Sequence, residues 1–191
     1  MLKLLVICGP SGSGKSTLEK NLIADYPSTF NKLPQVSTRE MRTSERFGDP
    51  YVFINSTTFE FIKDRLIGRI LNKNSLFKHQ YGTLPDVNYK RINTLILSAE
   101  AIIDLKDQIK NKKSIFKPHD NSEIKLFIIG LDVGYDDLDL DAKSERPARD
   151  ASFLDREKEV LLHCDHVFTN SNGKYVNSRE IVELLKTTAI L

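Results

Sequence analysis

Cysteine is scarce in this sequence. Two occur among 191 residues, Cys8 and Cys164, too few for a disulfide framework. Both fall in predicted strands and read as small buried hydrophobes of a reducing compartment, not as a bridge. With the four histidines they show no metal-ligand spacing. An excess of either charge is also lacking: 28 basic residues stand against 26 acidic ones, a net charge of +2. That excludes a dedicated nucleic-acid or polyanion binder, which needs a basic surplus. No apolar run reaches transmembrane length, so no membrane partner is expected. The N-terminal run Leu4–Cys8 is too short for a signal-peptide core and leads directly into a glycine-rich loop. Internal repeats and low-complexity tracts are absent. The 40% hydrophobic content suffices for a real core. The length suits one domain, expected in the cytoplasm.

The glycine-rich loop is the strongest signal present. Gly9-Pro10-Ser11-Gly12-Ser13-Gly14-Lys15-Ser16-Thr17 matches the P-loop pattern G-x-x-x-x-G-K-[ST] at every fixed position. The apolar run before it predicts a buried strand over Leu2–Cys8. Leu18, Leu22 and Ile23 share one face of a helix predicted over Lys15–Tyr26. Strand, loop and helix together form a phosphate site. The glycines let the backbone approach the ligand, and its N–H groups converge at the positive end of the helix. Lys15 can reach the outer phosphates of a nucleoside triphosphate, and the Ser16 hydroxyl is the expected Mg²⁺ ligand.

The rest of the chain alternates strand and helix. Strands are predicted near Leu33–Val36, at Tyr51–Ile54, Thr94–Leu97, Ile124–Ile129 and Asp165–Thr169. A capping box at Thr57-x-x-Glu60 predicts a helix with an apolar stripe of Phe59, Ile62, Leu66 and Ile70. A turn is expected near Tyr81-Gly82-Thr83. Asp86 is read as capping a helix that runs to about Asn93. Further helices are predicted over Ala99–Lys110, over about Ala151–His163, and from a Ser178 cap through Lys186. Lys112–Asn121 reads as a solvated loop, Asp132–Arg149 as a long mobile segment, and Ser171-Asn172-Gly173 as a turn. The alternation implies an α/β fold with a parallel sheet covered on both faces.

A second phosphate site is legible after the loop. Arg39, Arg42, Glu45, Tyr51 and Phe53 follow the spacing R-x-x-R-x-x-E-x(5)-Y-x-F. Two arginines three apart on a loop can converge on one phosphate, each with a planar donor fork. Tyr51 and Tyr81 can add hydroxyl donors. With the P-loop and Tyr81-Gly82-Thr83, this pattern resembles the guanylate kinase family over nearly the whole chain.

The resemblance implies a three-layer P-loop fold. It would have a parallel central sheet (about 1–36 and 92–191), a small monophosphate-binding subdomain (about 37–91) and a mobile lid (about 131–156), all within one domain. It implies ATP as donor, bound by Gly9, Ser11, Gly12, Ser13, Gly14, Lys15, Ser16 and Thr17, with Asn170 near the donor base. Mg²⁺ would sit at Ser16. Arg39, Arg42, Tyr51 and Tyr81 would hold a nucleoside monophosphate, GMP or dGMP, and Glu45 would orient an arginine. Arg149 and Arg156 would neutralise the transferring group, with Arg146 as an alternative to Arg149. The chain is then a monomer or a homodimer.

Four positions depart from the family pattern. Gln35 stands where a serine reads guanine, Asn72 where a glutamate accepts from guanine N1 and N2, and Thr83 where a serine follows Tyr-Gly. Asn offers a donor as well as an acceptor, so base choice can change. After the third core strand, Ser98 replaces a carboxylate, leaving Glu100 for the metal shell or the acceptor base. The alternatives are a kinase of another (deoxy)nucleotide or of a sugar phosphate, and a non-catalytic phosphopeptide-binding module. Modules of that kind typically lose the P-loop lysine, whereas Lys15 and Ser16 are present here.

Overall fold

The computed structural model describes residues 1–43, 45–71, 79–111, 123–133, 158–170, 174–188 and 190. These fall into two compact units: Met1–Lys32, Asn88–Ala99 and Lys125–Leu191 form one, Leu33–Val87 and Glu100–Ile124 the other.

The first unit is built on strands β1 (Leu2–Cys8), β2 (Phe30–Lys32), β7 (Ile92–Ile96), β8 (Ile124–Val133) and β9 (His166–Asn170). They form a five-stranded sheet of order β2-β7-β1-β8-β9. β7 pairs in parallel with β1 and with β2, and β8 pairs in parallel with β9. β1 lies inside the sheet, which is why Leu4 to Cys8 are all buried without alternation. Helices α1 (Lys15–Asp25) and α4 (Ser178–Thr187) add Leu18, Leu22, Ile181, Val182 and Leu185 to a core shared with Leu5, Ile7, Ile129 and Leu131.

The second unit carries β3 (Gln35–Ser37), β4 (Tyr51–Phe53), β5 (Ile67–Ile70) and β6 (Tyr81–Thr83), a four-stranded mixed sheet of order β4-β3-β6-β5. β3 runs parallel to β4 and antiparallel to β6. The register places Gln35 opposite Tyr51 and Thr83, and Ser37 opposite Phe53 and Tyr81. With a period of two, these six side chains share one face. Val36 and Val52 take the other face and pack with Phe59 and Leu66. Helix α2 (Ser56–Ile62) supplies Phe59, and α3 (Ala99–Lys110) covers the outer edge of the sheet.

That edge is held by side chains. The Gln108 amide accepts from Gly68 N at 3.1 Å and donates to Leu66 O at 3.0 Å, so it pairs with β5 as a further strand would. Asp104 accepts from Arg69 N at 2.7 Å, Nε at 3.0 Å and Nη2 at 2.8 Å. The hydrogen bonds to Asp104 hold the Arg69 guanidinium above its ordinary pKa against the opposing effect of burial. Gln108→Ala orphans two backbone groups at once. The expected loss of stability is about 2–6 kcal/mol, from about 1–3 per unsatisfied buried group. A urea unfolding curve reads it, and faster hydrogen exchange at the Gly68 amide localises it.

Several sequence expectations are corrected here. The strand near Leu33–Val36 is two short strands, β2 and β3, in different sheets. The expected capping box at Thr57 is replaced by Asn55, whose side chain accepts from Thr58 N at 2.7 Å. The helix after it stops at Ile62. Its apparent stripe continues through a 3₁₀ turn (Lys63–Arg65) into β5, because Gln108 and Asp104 satisfy the extended backbone. Tyr81-Gly82-Thr83 is strand β6 rather than a turn. Gly82 is needed there for space: a Cβ would lie 2.7 Å from Leu66 Cδ1.

No helix follows Asp86. The Asn93 side chain accepts from Asn88 N at 2.8 Å and donates to Asn88 O at 3.0 Å, taking backbone groups that a helix would use. Cys164 is not in a strand; it ends a 3₁₀ turn (Glu159–His163), the described part of the expected helix over 151–163. Asp132 belongs to β8. The cap of α4 is Asn177, in a reciprocal box with Glu180, while Ser178 donates to Asp25 and ties α4 to α1. The expectations for Lys112–Asn121, for 134–157 and for Ser171-Asn172-Gly173 lie outside the described residues.

Candidate active site

The phosphate loop is built as its sequence requires. Gly9 sits at φ 141° and Gly14 at φ 89°, both in the left-handed range that favours glycine. At Gly9 space decides as well, since a Cβ would fall 2.3 Å from Leu131 O. Ser13 N donates to Pro10 O at 3.2 Å and closes the loop. The first backbone bond of α1 is Leu18 N to Gly14 O at 2.9 Å, so the Ser16 and Thr17 amides of the first turn face no carbonyl of the helix. Asn55 and Asn177 cap α2 and α4, but α1 has no side-chain cap. Lys15 Nζ donates to Pro10 O at 2.6 Å and so lies across the loop it would serve.

Asn170 braces this loop from β9. Its Nδ2 donates to Ser13 O at 3.1 Å, and its Oδ1 accepts from Val176 N at 2.9 Å. The side chain is buried, with both ends of its amide engaged. A Cβ at Gly14 would lie 3.8 Å from Tyr175 Cδ1, so the half-exposed Tyr175 ring stands beside the loop. Sequence reasoning missed Tyr175 and Val176; nothing in their local pattern marks them.

The second cluster lies on the face of the four-stranded sheet opposite Val36 and Val52. Glu45 holds Arg39 through both carboxylate oxygens: Nη1 donates to Oε2 at 2.7 Å, and Nη2 donates to Oε1. Nη1 also donates to Glu40 O at 2.8 Å. Among the described residues this leaves Nε–H and the second Nη2–H of Arg39 without a partner, one whole edge of the guanidinium. The group stacks 5.2 Å from the Tyr51 ring centre and 5.0 Å from that of Phe53. Tyr51 and Tyr81 meet edge to face at 5.7 Å.

Glu45 also accepts from Arg42 N at 3.0 Å and lies 3.9 Å from Arg42 Nη1. Burial would raise the Glu45 pKa, but the hydrogen bonds from Arg39 and Arg42 bring it below the ordinary carboxylate value. Arg39 is likewise held above its ordinary value by Glu45, against burial. Burial, with Tyr81 beside it, pushes Tyr51 up to about 12, so its phenol stays a donor at any physiological pH.

Deeper on the same face, Gln35 and Thr83 are buried, with Gln35 Nε2 donating to Thr83 Oγ1 at 3.4 Å. The structure thus brings Gln35, Arg39, Arg42, Glu45, Tyr51, Tyr81 and Thr83 onto one surface. Phe53 joins them as a stacking partner of Arg39, two residues along the strand from Tyr51. Ser37, missed in the sequence, accepts from Arg39 N at 3.2 Å. Glu100 sits in the first turn of α3. Asn72, Arg146, Arg149 and Arg156 lie outside the described residues.

Among the described residues no group of three or more His, Cys, Asp or Glu side chains could hold a metal, and no helix is long and apolar enough to cross a membrane. The Ser16 hydroxyl is exposed in the first turn of α1. One hard oxygen donor beside a phosphate loop fits Mg²⁺, which keeps most of its waters and takes phosphate oxygens.

A parallel sheet, a glycine-rich loop after its central strand and an uncapped helix behind that loop define a P-loop α/β protein. The guanylate kinase family model matches residues 1–128, and the chain belongs to that family. It is 30% identical over 151 residues to the guanylate kinase of Haemophilus ducreyi, covering 73% of this chain and 69% of that protein. It is 37% identical over 81 residues to the guanylate kinase of Chlamydia felis, covering 42% of this chain and 39% of the relative. The crystal structure of guanylate kinase from Anaplasma phagocytophilum shares the fold, with a TM-score of 0.65 at 17% identity over 98% of this chain and 88% of that one.

Proposed function

We propose that the chain transfers the γ-phosphate of ATP to GMP or dGMP. The observation that carries this reading is the pairing of two different phosphate sites in one chain: a P-loop with its lysine, and an arginine–tyrosine cluster with an unused guanidinium edge. A simple NTPase has no use for the second.

In this reading the loop amides and Lys15 bind the donor phosphates, Lys15 exchanging Pro10 O for phosphate oxygen. Ser16 would hold Mg²⁺, which offsets negative charge on the β- and γ-phosphates when bound. Asn170 keeps the loop in shape. The open edge of Arg39, with Arg42 and the Tyr51 and Tyr81 hydroxyls, holds the acceptor phosphate, one oxygen of which attacks the γ-phosphorus. The new P–O bond forms as the bond to ADP breaks, with no covalent enzyme intermediate. Arg149 and Arg156, with Arg146 as the alternative to Arg149, are assigned to neutralise the transferring group. Gln35 and Thr83, with Asn72 or Glu100, are assigned to the acceptor base.

The test is an ADP-release assay with ATP and Mg²⁺ and each of GMP, dGMP, AMP, dAMP, CMP, UMP and dTMP. Turnover with GMP or dGMP alone is expected. Turnover with another monophosphate would show that the Gln35 and Asn72 positions have rewritten the acceptor site. No turnover with any of them would remove the nucleotide kinase reading.

A further inference from the structure

The two cysteines, 156 residues apart in sequence, meet in the first unit: Cys8 Sγ and Cys164 Sγ are 3.2 Å apart. We propose that they form a redox-sensitive switch on the phosphate loop, closing to a disulfide by exchange with a small-molecule disulfide. The contact is built by the sheet. Cys8 ends β1 directly before Gly9, and Cys164 precedes β9. Gly130 of β8 makes the passage between them, since a Cβ there would lie 2.8 Å from Cys164 Sγ and 2.7 Å from Leu161 Cδ2. Cys8 Sγ also donates to Ile129 O at 3.4 Å, and Cys164 Sγ to Val160 O at 3.6 Å. Both sulfurs therefore rest on soft contacts that a small rotation gives up. A disulfide needs them about 2.05 Å apart, so they must close by roughly 1 Å.

The exposures assign the roles. Cys8 is fully buried, whereas Cys164 is partly exposed. Cys164 loses its proton to solvent and attacks one sulfur of the small disulfide, releasing one thiolate and leaving a mixed disulfide. Cys8 then loses its proton and attacks Cys164 Sγ, releasing the second thiolate. The protein dithiol is oxidised by two electrons and the small disulfide is reduced to two thiols. The bond pulls on the residue preceding Gly9, the glycine whose φ of 141° and close approach to Leu131 O, 2.3 Å from where a Cβ would stand, set the start of the loop. The loop geometry, and with it ATP binding, changes.

The full chain, reduced and then incubated with oxidised glutathione, is mapped by non-reducing digestion and mass spectrometry, and its ATP affinity is measured. The expected product is a Cys8–Cys164 cross-link with no retained glutathione and several-fold weaker ATP binding, reversed by dithiothreitol. Cys8→Ser is expected to stop at a glutathione adduct on Cys164. Cys164→Ser is expected to leave Cys8 unmodified until the protein is denatured. A stable glutathione adduct in the native sequence, unreacted thiols, or a cross-link that leaves ATP affinity unchanged each overturns the proposal. The native chain alone decides between these outcomes, even if a variant misfolds. ATP that fails to bind the reduced protein would instead sink the kinase reading, which the cross-link map does not depend on.

Discussion

Lys15→Met is expected to lower kcat by about 10²–10³-fold, the usual cost of removing one donor aimed at transition-state charge. The methionine keeps most of the side-chain length and removes the terminal ammonium with its charge. Lys15 stands at the start of α1, where the loop amides and the helix dipole already attract anions, so ATP should still bind, though more weakly. The loss should appear mainly in kcat, because charge on the oxygens between the β- and γ-phosphates grows as the bond to ADP breaks. Folding should be little affected, since the bond lost to Pro10 O is only partly buried. Steady-state kinetics with saturating ATP, beside a urea unfolding curve, separates the two. A variant that folds normally and turns over at the native rate would contradict the donor assignment.

Arg39→Lys is expected to cut kcat/KM for the monophosphate by about 10²-fold while leaving the KM for ATP nearly unchanged, because a point charge cannot replace a bidentate fork. The structure shows why so small a change should matter. The guanidinium is bonded to Glu45 and Glu40 O and lies over the Tyr51 and Phe53 rings, and among the described residues only the remaining edge is open. A lysine cannot keep the Glu45 contact and present a second pair of donors. Acceptor-dependent kinetics at fixed ATP reads the effect, and a variant with unchanged acceptor KM and kcat would show that the open edge has no phosphate to hold.

The same pair carries a pH signature. Glu45 is held below its ordinary value of 4.5. Its stabilising contribution is therefore fully present above that value and is lost as pH falls through the lower, folded-state value. Unfolding free energy measured from neutral pH down into the acid range should fall less steeply in Glu45→Gln than in the native chain.

The phosphate loop was legible because its chemistry is local. Nine consecutive residues set the turn, the backbone approach and the helix start, and neighbouring sequence supplied the strand and the helix. The arginine loop was legible for the same reason, since Arg39, Arg42 and Glu45 bond to each other within seven residues. Reading Leu66–Ile70 as helix failed because the pattern Phe59, Ile62, Leu66, Ile70 has helical spacing. Its extended form is decided by Gln108 and Asp104, some 40 and 35 residues away. The helix expected after Asp86 failed likewise, to a side-chain bond from Asn93.

The sequence by itself determined the phosphate loop and the arginine loop, because each resides in a short run of residues whose local geometry is self-contained. Only the tertiary structure decided which strands share a sheet, that Gln35, Tyr51 and Thr83 stand in one row, that Asn170 serves the loop, and that Cys8 meets Cys164. These depend on partners far apart in the chain. Backbone groups left unpaired inside a protein must find them wherever the fold supplies them.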